Sequence, residues 1–361
     1  IRPVIRVLDV APMQQGMAEF LRRVSDYTLT PMSKMLRLAT RAPGLGDPPS
    51  MRQVYRLGAQ TEVRMTDARQ KVLAVLEEFA ELSFTLKELS EAAGVAASVI
   101  KGLVKLGAVA EVATPQDMPF AHLNPSLPGK SLSEDQAHAV AQLQANTAGY
   151  CTTLLKGVTG SGKTEVYLEA VASCLKQGRQ ALVLLPEIAL TAEFLTRVEV
   201  RFGARPAQWH SGVTMTERRR TWKMVGQGHA QMVVGARSAL FLPFQDLGLI
   251  VVDEEHDSSY KQEDGVLYNA RDMAVLRASL VGGQVVLASA TPSLESWANV
   301  EAEKYTKIEL KSRFGASVLP KMMAIDMRQE DLPADRWISP SLQKMVEARI
   351  RAGEQSLLFI N

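Results

Sequence analysis

The chain has 361 residues, 46% of them hydrophobic and 22% charged, with a formal net charge of +2. This is an ordinary globular composition, long enough for two or three domains, and its near-neutral balance names no polyanionic partner by itself. No run of about 18 apolar residues occurs, which excludes a membrane-spanning helix, and the two cysteines, Cys151 and Cys174, form no metal motif and suit a reducing cytoplasm.

The chain begins Ile1-Arg2-Pro3-Val4 without a methionine and stops on the apolar run Leu357–Ile360, so both ends read as cuts within a longer protein. Residues 1–60 hold nine basic side chains against four acidic ones. That bias is compatible with nucleic acid and equally with a mixed solvated surface. The Pro/Gly-rich stretch 42–50 reads as a linker, as do 113–119 and 127–129. A weaker break falls near 329–333.

Residues 66–112 read as a small helical unit. Asp67 is placed to cap a helix carrying Val72, Leu73, Val75, Leu76 and Phe79. Thr85 with Glu88 makes a capping box for a second helix ending at Gly94, and a third runs from Ala97 to Leu106. Helix, Gly-containing turn, helix is a helix-turn-helix, and Ala108–Val112 supplies a strand for a wing. Ser98, Lys101 and Lys105 then face DNA on a recognition helix. A structural spacer or protein-docking module fits the same pattern.

From Leu132 to about Lys321 strands alternate with helices. Apolar runs at Leu182–Leu185, Met232–Val234, Leu249–Val252 and Val285–Ala288 give a parallel sheet with helices on both faces. Ser339-Pro340 opens a further helix, and Leu357–Ile360 reads as the first strand of another α/β domain.

Within this region Gly157-Val158-Thr159-Gly160-Ser161-Gly162-Lys163-Thr164 satisfies G-x-x-x-x-G-K-[ST], between a strand at 152–156 and a helix at 165–177. Backbone N–H groups and a helix N-terminus there favour phosphates. Lys163 reaches the β- and γ-phosphates, and the Thr164 hydroxyl ligates Mg²⁺. The strand Leu249–Val252 runs into Asp253-Glu254-Glu255-His256, where Asp253 binds Mg²⁺ and Glu254 polarises the attacking water. Together the two motifs imply an ATP or GTP hydrolase.

Asp253–His256 resembles the DExH box of superfamily 2 helicases, and Ser289-Ala290-Thr291 resembles their third motif, with Ser289 and Thr291 in a coupling role. Finer detail resembles the bacterial replication-restart helicase family PriA (primosomal protein N′). It lies in Gly157–Tyr167, in Leu185-Pro186-Glu187-Ile188-Ala189-Leu190-Thr191, in Gly235-Ala236-Arg237-Ser238-Ala239-Leu240-Phe241 and in Asp253–Lys261. The resemblance implies a RecA-like P-loop lobe preceded by a winged-helix domain and the end of a small N-terminal DNA-binding domain. The expected boundaries are 1–60 for the last part of the domain that captures DNA 3′ ends, 61–115 for the winged helix, 116–335 for helicase lobe 1 and 336–361 for the start of lobe 2.

By the same resemblance Gln136 reads adenine, Arg237 and Ser238 lie near single-stranded DNA, and Tyr260, Tyr268 and Arg271 belong to an aromatic-rich loop that grips DNA. Tyr268 also suits a core position. Val266, Leu267 and Asn269 depart from the family pattern in that loop. His210 is read as structural or DNA-proximal, and Arg218–Arg220 either as phosphate contacts or as a solvated face. The implied activity is an ATP- and Mg²⁺-dependent 3′-to-5′ DNA helicase that recognises forked DNA and starts primosome assembly. Its implied partners are single-stranded DNA-binding protein and primosome proteins. A monomer in the bacterial cytoplasm, associated with the nucleoid, is expected. Zinc-binding cysteine pairs and the arginines that complete the ATP site are expected beyond Asn361, so the segment alone is expected to turn over slowly. Another superfamily 2 translocase and a non-hydrolysing DNA-binding scaffold are the competing readings.

Overall fold

The computed structural model describes residues 12–42, 44–47, 50–60, 64–79, 83–145, 149–186, 191–311, 322–330 and 338–359. Two compact units divide the chain at 314/315.

The larger unit opens with helices α1 (Gln15–Tyr27) and α2 (Met32–Ala39). In α1 the buried positions are Met17, Phe20, Leu21 and Val24, spaced as one apolar stripe of a 3.6-residue helix. Strand β1 (Met51–Leu57) follows, then α3 (Asp67–Glu78), α4 (Leu86–Ala93), α5 (Ala97–Lys105) and β2 (Val109–Pro115). Strand β2 overlaps the strand expected at 108–112. Its antiparallel partner β1, paired from Met51↔Pro115 to Leu57↔Val109, was not read from the sequence. The two strands lie far apart in the chain, and β1 is largely exposed, so no local pattern marks it.

The cap of α3 is Thr66, whose hydroxyl accepts from Arg69 N, and not Asp67. Asp67 is the first helical residue, where a carboxylate still favours the helix dipole. The capping box of α4 forms as read, and Gly94 closes that helix at φ +62°. Tyr55, Val72, Leu76, Leu89, Ile100, Leu103 and Val109 give these three helices and two strands a core of their own.

The remainder of the larger unit alternates α6 (Glu134–Ala145), β3 (Cys151–Gly157), α7 (Lys163–Lys176), β4 (Gln180–Leu184), α8 (Ala192–Phe202), β5 (Ala207–Trp209), α9 (Met215–Gly226) and β6 (Met232–Gly235). Strand β7 (Leu247–Asp253), helix α10 (Ala270–Val281), β8 (Gln284–Ser289), α11 (Leu294–Glu301) and β9 (Thr306–Leu310) complete it. The seven strands β3–β9 form one sheet in the order β5-β6-β4-β7-β8-β3-β9, with every pairing parallel. This is the α/β, RecA-like lobe expected from the motifs. The central strands read as continuous apolar runs because both their faces are covered. Leu154, Leu182, Ile250 and Val285 point into one core, and their neighbours Leu155, Val183, Val251 and Val286 into the other.

Helices α6, α7 and α8 cover the second face. The first face takes α9, α10 and also α1 and α2: Phe20 packs 5.6 Å from Phe241, and Trp222 Nε1 donates to the Ala39 carbonyl at 2.7 Å. Residues 15–39, expected to end a separate DNA-binding domain, thus contribute to the core of the lobe.

The basic run on α9 is neither a phosphate cluster nor a solvated face. Arg219 Nε and Lys223 Nζ both reach Asp117, at 3.1 and 3.2 Å. Arg220 donates to the Met118 carbonyl at 2.6 Å and lies 4.1 Å over the Phe120 ring. Arg218 donates to the His210 carbonyl and covers Trp209. The run straps the segment after β2 onto the lobe. It reads as polar because most of the groups that Arg219, Arg220 and Lys223 satisfy, the Asp117 carboxylate and the Met118 carbonyl among them, lie about 100 residues distant.

In the smaller unit α12 (Pro340–Arg351) begins as read, with the Ser339 hydroxyl accepting from Leu342 N. Leu357, Leu358 and Phe359 form no strand; Ile360 lies outside the described residues. An apolar run becomes a strand only where a neighbour takes up its backbone hydrogen bonds. Among the described residues none does so for these three.

Candidate nucleotide site

Strand β3 ends at Gly157, and the chain turns through 158–162 into α7. Gly160 and Gly162 both sit at φ +81°, which L-side chains rarely adopt. A Cβ on Gly162 would also lie 2.2 Å from Gln136 Nε2, so glycine is required there twice over. The reason is Gln136 itself. It is 2% exposed; its Nε2 donates to the Ser161 carbonyl at 2.9 Å and its Oε1 accepts from Ser133 N at 2.9 Å. Gln136 N in turn donates to Ser133 Oγ, a reciprocal cap of α6. A solvent-facing Gln136 is thereby excluded, and the residue buttresses the loop, a role the sequence reading lacked.

Lys163 is buried and folds back to donate from Nζ to the Gly157 carbonyl at 2.9 Å. The same ammonium stands 3.9 Å from Glu254 Oε1. The side chains of two motifs 90 residues apart therefore meet across one cleft. That cleft encloses about 420 Å³ and is lined by Lys130, Gln136, Thr159, Gly160, Gly162, Lys163, Thr164, Arg197, Asp253 and Glu254, among others. Gly157, Val158 and Ser161 belong to the loop but not to that lining. Lys130 and Arg197 were not singled out from sequence. Both pair with Glu165 on α7, at 2.7 and 3.9 Å. No motif marks them, because α8 and the 128–132 segment reach the cleft only through the fold.

Asp253 ends β7. Its Oδ1 accepts from Glu254 N at 3.0 Å and its Oδ2 from the Tyr167 hydroxyl at 2.9 Å. Burial pushes its carboxyl above the ordinary aspartate value, Glu254 adds to the rise, and the Tyr167 hydrogen bond and Lys163 oppose it. Glu254 has φ +46°, left-handed backbone in a residue other than glycine. Such conformations cost about 1–3 kcal/mol and concentrate at functional positions. Thr164 and Asp253 contribute a hydroxyl and a carboxylate to the phosphate loop's cleft, a hard-oxygen donor set that fits Mg²⁺ beside phosphates.

The coupling residues take definite places. His256 Nδ1 and Ser289 Oγ are 2.8 Å apart, Thr291 N donates to Ser289 Oγ at 3.1 Å, and His256 lies 3.6 Å from Glu254. His256 thus links Glu254 to the end of β8. Glu255 points the other way. Its buried carboxylate accepts from Ser293 N, Ser293 Oγ, Ser296 Oγ and Arg271 Nη1.

Three expected DNA contacts are corrected. Tyr260 is 1% exposed, and its hydroxyl reaches the Asp253 and Leu184 carbonyls at 2.6 and 3.0 Å. Tyr268 is buried edge-on against Phe241, 5.2 Å between centroids, so the core reading holds. Arg271 is buried in the Glu255 cluster. None of the three has a face free to stack on a base. Apolar packing and unpaired carbonyls claim aromatic and guanidinium groups as readily as DNA does, and spacing does not separate the two uses. Arg237 donates from Nη1 to the Ser259 and Lys261 carbonyls, at 2.7 and 3.0 Å, so it holds the 257–269 loop to the lobe. Ser238 Oγ accepts from Trp209 Nε1 at 3.2 Å. His210 Nδ1 accepts from Gly212 N, a structural role. Lys101, Lys105 and Ser98 are exposed on α5, opposite its buried Ile100 and Leu103. Glu187–Leu190 of the second motif lie outside the described residues.

The DEAD/DEAH box helicase family matches residues 133–300, the span that holds this cleft. The replication restart protein PriA of Rickettsia felis is 41% identical over 264 residues, covering 71% of this chain and 40% of that protein. The PriA protein of Bacillus subtilis is 44% identical over 209 residues, 58% of this chain and 26% of that one. PriA of Chlamydia pneumoniae is 36% identical over 382 aligned positions, which take in all of this chain and half of the relative. The chain therefore spans half or less of the length of these relatives. Among solved structures, the Hef helicase domain of Pyrococcus furiosus aligns with TM-score 0.39 and 18% identity over 54% of this chain and 40% of that one. The UvsW helicase of bacteriophage T4 aligns with TM-score 0.35 and 16% identity over 53% of this chain and 64% of that one.

Proposed function

Because the chain belongs to the PriA family of superfamily 2 helicases, we propose that it carries the ATP-hydrolysing lobe of a DNA-dependent, 3′-to-5′ helicase. That helicase recognises forked DNA and begins replication restart. The observation that carries the reading is the meeting of Lys163, Asp253 and Glu254 in one cleft behind a phosphate loop. Backbone N–H groups of 157–164 and Lys163 bind the triphosphate and offset the charge that develops on transfer. Thr164 and Asp253 hold Mg²⁺, which when bound neutralises phosphate oxygens. Glu254 accepts the proton of the attacking water, with His256 beside it relaying its position to Ser289 and Thr291. Gln136 keeps one amide hydrogen and one lone pair for the edge of adenine.

The three-helix, two-strand unit at 51–115 is read as a winged helix, with Lys101 and Lys105 toward DNA phosphates. Its partners through the whole protein are forked and single-stranded DNA, single-stranded DNA-binding protein and primosome proteins. A non-hydrolysing scaffold is disfavoured because Lys163, Asp253 and Glu254 are all intact. The test is ATP hydrolysis with and without forked DNA, beside Lys163→Ala. DNA should stimulate turnover of the full-length protein, and Lys163→Ala should lower it at least about a hundredfold, the scale for losing one transition-state donor. Turnover indifferent to DNA rejects the helicase reading.

A further inference from the structure

Tyr167 lies on α7 one turn after Thr164, so the two side chains share a helix face. It is 0% exposed, yet a buried phenol needs a partner for its hydroxyl. Its partner is a carboxylate assigned to the metal. The Tyr167 hydroxyl donates to Asp253 Oδ2 at 2.9 Å. We propose that Tyr167 is a positioning residue for the cation site, fixing the Asp253 carboxylate through its hydroxyl. The assignment rests on the nucleotide-site reading above.

With Oδ2 held by Tyr167 and Oδ1 by Glu254 N, the Asp253 carboxylate cannot rotate about its last bond without breaking one of the two. The site is therefore set before any cation arrives. Phenylalanine at 167 fills the same volume in the core around Val166, Val171 and Val183 and removes only the hydroxyl.

The probe is a fluorescent N-methylanthraniloyl-ADP, titrated against the full 361-residue chain without metal and then with increasing Mg²⁺. In Tyr167→Phe the Mg²⁺ concentration for half-maximal response should rise about tenfold or more, as for loss of other partners of metal ligands. Metal-free affinity should stay within about twofold. An unchanged Mg²⁺ midpoint overturns the proposal. So does a parallel loss of metal-free binding, because that marks Tyr167 as a packing residue only. Failure of the wild-type chain to bind the nucleotide rejects the site reading itself, independently of Tyr167.

Discussion

Gly162 shows how one missing side chain sets a site. Alanine there meets Gln136 Nε2 at 2.2 Å in a backbone region that itself disfavours a Cβ. Gly162→Ala should therefore weaken nucleotide binding at least about tenfold, roughly the effect of 1–2 kcal/mol of backbone strain. A titration with the same nucleotide checks it. Cys174 makes a second residue-scale case. Burial pushes its thiol from 9.0 up to about 12. Between those values the unfolded chain releases a proton that the folded chain keeps, so stability should fall as pH rises from 9 toward 12. At pH 8 a maleimide should label half-buried Cys151 well before Cys174, and Cys174 only as denaturant unfolds the lobe. The glycine and lysine of the phosphate loop were legible as letters. Gln136 as its buttress was not, because that contact joins residues 25 apart through a buried amide.

Elements were legible where their signals are local. The capping box of α4, the Ser339-Pro340 start of α12 and the strands of the central sheet all follow from caps and apolar runs. Strands β1, β5 and β9 escaped, being short or half-exposed and defined by a partner remote in sequence. The Arg219–Asp117–Lys223 cluster escaped for the same reason. Asp117 is 6% exposed between two cations, so Asp117→Ala leaves both charges facing each other. Partial solvent access moderates the cost to about 2 kcal/mol. Chemical denaturation should show that loss, and Asp117→Glu should recover part of it. In α4, Thr85→Ala removes the cap and should cost about 1 kcal/mol, read as a lower midpoint for the 51–115 unit.

At the scale of the molecule, three cores divide the labour: one on each face of the sheet, and one for the 51–115 unit. Substituting Lys101 and Lys105 with alanine should lower affinity for DNA and flatten its salt dependence by up to about two phosphate contacts. Hydrolysis measured without DNA should not change. Among the described residues no helix is long and apolar enough to cross a membrane. The strand order carries a consequence for how the protein is made. Strand β3, which delivers the phosphate loop, is hydrogen-bonded only to β8 and β9. At ordinary synthesis rates the ribosome needs roughly ten seconds to add them. During that interval the nascent chain holds Thr152–Leu155 with both edges of the strand open. The strand on which catalysis depends is thus open to a chaperone, or to a neighbouring nascent chain, throughout that interval.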